Sequence, residues 1–138
     1  MSERDKDVYA IGKKNPNLPF HPAVRAGDYI FVSGQVAIDP ATQQVVAGDV
    51  AAQTERVIKN ISAILAAAES KLDQVVRTTV FLKNMNDFAA MNEVYGKHFG
   101  TAPPARSTVE VSRLPKDVLV EIDVIALTSA NASGDFYK

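Results

Sequence analysis

From Val50 onward the apolar side chains Val57, Ile58, Ile61, Ile64, Leu65 and Ala68 recur at the spacing that lines up one stripe of an α-helix. Asp49 can accept a hydrogen bond from the first turn, and Glu55 and Lys59 stand four residues apart as a surface pair. The pattern predicts an amphipathic helix over Val50 to Glu69. Near the end of the chain the period changes to two. Val118, Val120, Ile122, Val124 and Ala126 alternate with Leu119, Glu121, Asp123, Ile125 and Leu127, which predicts a strand with two different faces. The first face is wholly apolar and suits a covering of helices. The second mixes large apolar residues with two carboxylates and suits neither a dry core nor open water, so a covering by another subunit is expected.

The intervening segments complete the outline. Tyr29 to Ser33 reads as a strand after an Ala26-Gly27-Asp28 turn, and Asp39-Pro40-Ala41-Thr42 marks a further turn. Val75 to Leu82 is a strand rich in β-branched residues. Asn86 is placed to cap a second helix, with Phe88, Met91, Tyr95 and Phe99 on its apolar face and its end near Gly100. Gly96 inside that helix suggests close packing or a loosened last turn. Ser107 to Val111 is expected to form a hairpin with the final strand, Leu114-Pro115-Lys116-Asp117 being the turn. Parity then puts Val109 and Val111 on the apolar face and Arg106, Thr108 and Glu110 on the other, with Glu121 opposite about Thr108 or Val109. The order of strands, helix, strand, helix, strand, strand implies an α+β sheet with two helices on one face and the other face open.

Composition narrows the function. At 138 residues and 46% hydrophobic content the chain suits one domain over 1–138, with Met1 to Asp7 and Ser129 to Lys138 expected to be loose. A formal net charge of -1 gives no broad attraction to nucleic acid or anionic membrane. Cysteine is absent, which removes disulfides and thiolate chemistry, and no apolar run suggests a signal peptide or membrane span, so the cytoplasm is the expected location. His21 and His98 do not cluster with carboxylates, so no metal site is expected. There is no glycine-rich phosphate loop or Gly-x-Ser-x-Gly turn.

The candidate chemistry lies in Ala102 to Ala126, where Arg106 follows the Pro103-Pro104 pair and Glu121 returns on the last strand. A guanidinium can hold a carboxylate through two parallel hydrogen bonds, although Arg106 also fits a plain cross-strand ion pair with Glu110 or Glu121. Four segments, VSGQVAIDP at Val32, DVAAQTERVIKNISAIL at Asp49, TTVFLKNMNDFAAMNEVY at Thr78 and PPARSTVEVSRLPKDVLVEIDVIA at Pro103, resemble the RidA (YjgF) family of reactive-intermediate deaminases. The resemblance covers about nine tenths of the chain in order. It implies a chorismate-mutase-like fold with a mixed, mainly antiparallel sheet. It also implies a homotrimer around a central barrel with sites between subunits, and hydrolysis of 2-imino acids such as 2-iminobutanoate and 2-iminopropanoate without a cofactor. By position, Arg106 matches the carboxylate-binding arginine and Glu121 the group that handles water and protons. The backbone of Thr108 would orient the imine nitrogen, while Ser33, Asn92 and Phe20 would line the pocket. Phe20 stands where many members have tyrosine, which keeps the ring and loses a hydroxyl. Alternatives within the same resemblance are a deaminase for a larger substrate such as 2-aminomuconate, or a trimeric regulator that binds small carboxylates without turnover. A ribonuclease role ranks last because of the near-neutral charge.

Overall fold

The computed structural model describes residues 8–129, so the expectations for the two chain ends fall outside the described residues, apart from Ser129, which is exposed. Six strands form one sheet: β1 (Val8–Ile11), β2 (Ala23–Ala26), β3 (Tyr29–Gln35), β4 (Val75–Leu82), β5 (Ala105–Glu110) and β6 (Val120–Leu127). Their order is β1-β2-β3-β6-β4-β5, and every pairing is antiparallel except β4 with β5. Two helices, α1 (Val50–Ala67) and α2 (Phe88–Phe99), pack on one face.

The two periodicities place the core. On β6 Val120, Ile122, Val124 and Ala126 are 0–1% exposed, and Val57, Ile58, Ile61 and Leu65 of α1 close over them. Burying a side chain of this size contributes roughly 1.5–3 kcal/mol, so this layer supplies much of the drive to fold. Asp49 caps α1 by accepting from the Ala52 amide at 3.0 Å, and Lys59 lies 3.6 Å from Glu55, both as the sequence predicts. The α1 end at Ala67 falls two residues short of the predicted Glu69. No helix among the described residues is long and apolar enough to cross a membrane.

Four expectations need correction. First, β5 and β6 do not form a hairpin. The Pro115–Asp117 turn exists, but β4 lies between the two strands, and β5 runs parallel to β4 after the α2 crossover. A parallel pair needs such a helical connection, and the β4-α2-β5 segment provides it. Second, the faces of β5 are reversed. Arg106 pairs with Thr78 and Thr78 with Val124, all on the helix side, whereas Val109 is 40% exposed on the open side. Third, Asn86 is not the cap. Asn84 accepts from the Asn86 amide and starts a short 3₁₀ turn over Met85–Asp87, from which α2 continues without a side-chain cap. Fourth, a Cβ at Gly96 would meet open space, so close packing does not explain that glycine; a Cβ at Gly100 would instead collide with the Gly96 carbonyl. Strands β1 and β2 are absent from the sequence reading.

The open face carries Tyr29 and Phe31, which are 46% and 44% exposed, together with half-buried Phe81, Ile125 and Leu127. Glu121, Asp123, Thr79 and Arg77 share it by register.

Candidate active site

The six residues singled out from sequence separate into two groups on opposite faces of the sheet. The first centres on Arg106. Its guanidinium carbon sits 4.7 Å from the centre of the Tyr95 ring and 5.5 Å from that of Phe88. Both rings project from α2, which packs over the helix side of the edge strand β5. Cation–π contact explains how a charged side chain occupies a position that would ordinarily be apolar. Tyr95 is itself fixed, because its hydroxyl shares a 2.7 Å hydrogen bond with Thr78. Burial raises the Tyr95 pKa, opposed by Thr78 and by Arg106, so the phenol stays neutral beside the guanidinium. Arg106 has no carboxylate within ion-pair distance among the described residues, and Glu110 instead accepts from the Met85 amide at 2.8 Å. The plain ion-pair alternative is therefore not what the fold builds.

Asn92 and Thr108 belong to the same group. Asn92 lies one turn after Phe88 on α2, and Thr108 is two residues beyond Arg106 on the same side of β5. Asn92 Oδ1 and Thr108 Oγ1 are buried and have no hydrogen-bond partner among the described residues. Leaving such atoms unsatisfied costs roughly 1–3 kcal/mol each, a cost normally retained where a ligand or water completes the shell. Because β5 is an edge strand, one row of its backbone groups also lacks a sheet partner.

The second group centres on Glu121. Register puts Glu121 beside Phe81 on the open face, in the same row as Val109. On β3, Val32 pairs with Val124 and Gln35 with Ile122, so Ser33 and Gly34 together face a single residue, a β-bulge. The Glu121 carboxyl folds over this bulge, and a Cβ at Gly34 would overlap Glu121 Oε2. Gly34 thus leaves room for the end of the Glu121 side chain and is not there for an unusual φ. Burial, and then the Asp123 carboxylate nearby, raise the Glu121 pKa above the ordinary carboxylate value. Asp123 is raised by burial as well, partly offset by hydrogen bonds from Thr79 and by Arg77. Ser33 Oγ donates to the His21 carbonyl at 2.7 Å, which fixes the segment carrying exposed Phe20. Phe20 and Gly34 line one cavity.

The strands bearing Arg106 and Glu121 are two positions apart, about 10 Å at ordinary strand spacing, and their side chains leave opposite faces. One chain cannot close a pocket around both. Tyr95 belongs to the core, as its place on the apolar face of α2 predicts, and also backs Arg106, whereas Phe88 on the same face is exposed and turns over the guanidinium. The signal that could have shown this is Thr78, a polar residue at an otherwise apolar inward position of β4.

Comparison with known proteins identifies the family. The family model described as Endoribonuclease L-PSP matches residues 12–128. The chain belongs to the YjgF/RidA/RutC family. A RutC family protein of Pyrococcus abyssi is 56% identical over 119 residues, covering 86% of this chain and 94% of the relative. Among solved structures, the Rid family protein YyfA of Yersinia pestis superposes with a TM-score of 0.82 at 44% identity, covering 87% of this chain and 98% of that one. The structure of Escherichia coli TdcF with bound serine matches with a TM-score of 0.75 at 39% identity, covering 86% of this chain and 92% of that chain. Membership supports a Rid-type function in general terms and the expected α+β family fold.

Proposed function

We propose that this protein hydrolyses small 2-imino acids, such as 2-iminobutanoate and 2-iminopropanoate, to 2-oxo acids and ammonia. Its site forms where the Arg106 group of one copy meets the Glu121 group of a neighbour in a homotrimer. The observation that carries this reading is an uncompensated guanidinium on an edge strand, flanked by two buried polar atoms that lack partners. TdcF, with its bound serine, shows a relative holding a small molecule that bears a carboxylate. The exposed apolar residues of the open face supply a surface for assembly.

In the proposed reaction Arg106 holds the substrate carboxylate with its two-pronged donor set. The Asn92 Oδ1 acceptor and the Thr108 edge position face the iminium N–H. Water bonds to C2 while its proton passes to the Glu121 carboxylate, whose raised pKa brings it closer to working pH. The proton then moves from Glu121 to nitrogen, the C–N bond breaks with ammonia leaving, and the hydroxyl proton on C2 passes back to Glu121 as the C=O of the ketone forms. No cofactor takes part. Phe20 contributes a ring to the Glu121 side, without the hydroxyl a tyrosine would bring. The net charge of -1 favours a small acid over a polyanion as substrate.

The test uses two variants expected to be strongly impaired alone, Arg106→Met and Glu121→Gln. Coexpressed, they should recover roughly a quarter of the sites, since some interfaces combine an intact arginine with an intact glutamate from the other copy. Intact trimers with no recovery would rule out a shared site. Wild-type trimer that releases 2-oxo acid no faster than the spontaneous rate would rule out the deaminase.

A further inference from the structure

A cavity of about 450 Å³ lies between α1, the segment leading into β2 and the segment leaving β3. It shares Phe20 and Gly34 with the Glu121 group, but its far wall is α1, and Arg106 is not part of it. Leu18, Ile38 and Ile64 are among its apolar lining, and no acidic side chain borders it among the described residues. Its charged members are Arg56 and Lys13.

Arg56 is half-buried and its Nε donates to Asn60 Oδ1 at 3.1 Å. Asn60 is fixed in turn, because its Nδ2 donates to the Ile38 carbonyl at 2.8 Å and to that of Val36 at 3.3 Å. The partner one helical turn beyond Arg56 is therefore a neutral amide. A glutamate there would form an ordinary i,i+4 ion pair and cancel the charge. As built, one edge of the guanidinium is oriented and its charge is left uncompensated, with no ion pair among the described residues. A volume of this size, with apolar walls and a few convergent polar groups, is that of a small-molecule site.

We propose that this cavity is a second ligand site, distinct from the imine site, for a monocarboxylate carrying a compact apolar body such as a phenyl or branched alkyl group. Arg56 holds the carboxylate through its outer nitrogens, Lys13 adds a second positive charge at the rim, and the body rests on Ile38 and Ile64. Two cations beside an apolar lining exclude a cationic ligand and make a neutral apolar ligand second best.

The experiment is calorimetric titration of the full-length assembled protein carrying Arg106→Met, which removes carboxylate binding at the imine site. The probes are 3-phenylpropanoate, 3-phenylpropanol and acetate. Saturable binding of 3-phenylpropanoate, at least tenfold tighter than either other probe, is expected. It should weaken at least tenfold when Arg56→Met is added. Ala63→Trp, an exposed α1 position on the cavity wall, should block binding without disturbing the core. Equal binding of the alcohol, undiminished binding after Arg56→Met, or undiminished binding after Ala63→Trp would each overturn the proposal. So would the absence of any saturable binding. Imine hydrolysis by an Arg56→Met protein with Arg106 intact is expected to be unchanged, so the two sites fail or stand separately.

Discussion

The Arg106 and Glu121 groups solve the same problem in opposite ways. Arg106 sits on an edge strand, on the side that the helices cover, and its charge is accommodated by two aromatic rings with no carboxylate partner among the described residues. Glu121 sits on a central strand, on the side without helices, and burial together with a second carboxylate works against its ionisation. The cation is held in a stable, fixed state that suits binding. The acid has its proton affinity raised by its surroundings, which suits proton transfer. Neither group completes a pocket alone within one chain, and in the function proposed above the difference between them becomes a division of labour across two chains.

That comparison can be broken in graded steps. Arg106→Met should lower kcat/KM for imine hydrolysis on the order of 10³-fold by removing the anchor. Circular dichroism should stay native, and 2-oxo acid release is the readout. Residual activity near wild type would mean that the carboxylate is held elsewhere. Glu121→Gln should lower kcat about 10²-fold while leaving binding of a small 2-oxo acid within a few fold, as expected when a proton-transfer group is lost and the anchor stays. If binding and turnover fall together, the two groups do not divide the labour as described.

Gly34→Ala forces the Glu121 carboxyl off the bulge and should slow turnover about tenfold, since small misplacements of a reacting group carry large kinetic effects. Turnover equal to wild type would show that Glu121 works from another position. Asp123→Asn should have the mildest effect. Removing the neighbouring negative charge lowers the Glu121 pKa, and a base is lost only as pH falls through its pKa. The acid limb of the kcat/KM profile should therefore move to lower pH; a shift to higher pH, or none, would remove Glu121 as the titrating base.

The predicted elements were accurate where local pattern carries the information. Helix α1, its Asp49 cap, strand β4 and the inward face of β6 follow from periodicity within one segment. The errors came where two segments must be related. The β5–β6 hairpin looked sound because a proline turn joins two apolar runs, yet α2 carries the chain over so that β5 pairs parallel with β4. The face of Arg106 was inverted for a related reason: on an edge strand the apolar Val109 need not point inward, and the inward place could be taken by an arginine once Tyr95 and Phe88 were beneath it. Strands β1 and β2 were missed because Val8–Ile11 and Ala23–Ala26 are four residues each, too short to show a period.

By itself the sequence singled out the residues proposed to do the chemistry, because a guanidinium and a carboxyl are intrinsic to Arg106 and Glu121, and it placed both on strands. Only the tertiary structure decided that the two lie on opposite faces of one sheet. Strand order and register are set by contacts between segments distant along the chain, and a single change of neighbour moves a side chain from one face to the other. The same contacts placed Gly34 under Glu121 and left Arg56 uncompensated over an apolar cavity, features with no local signature.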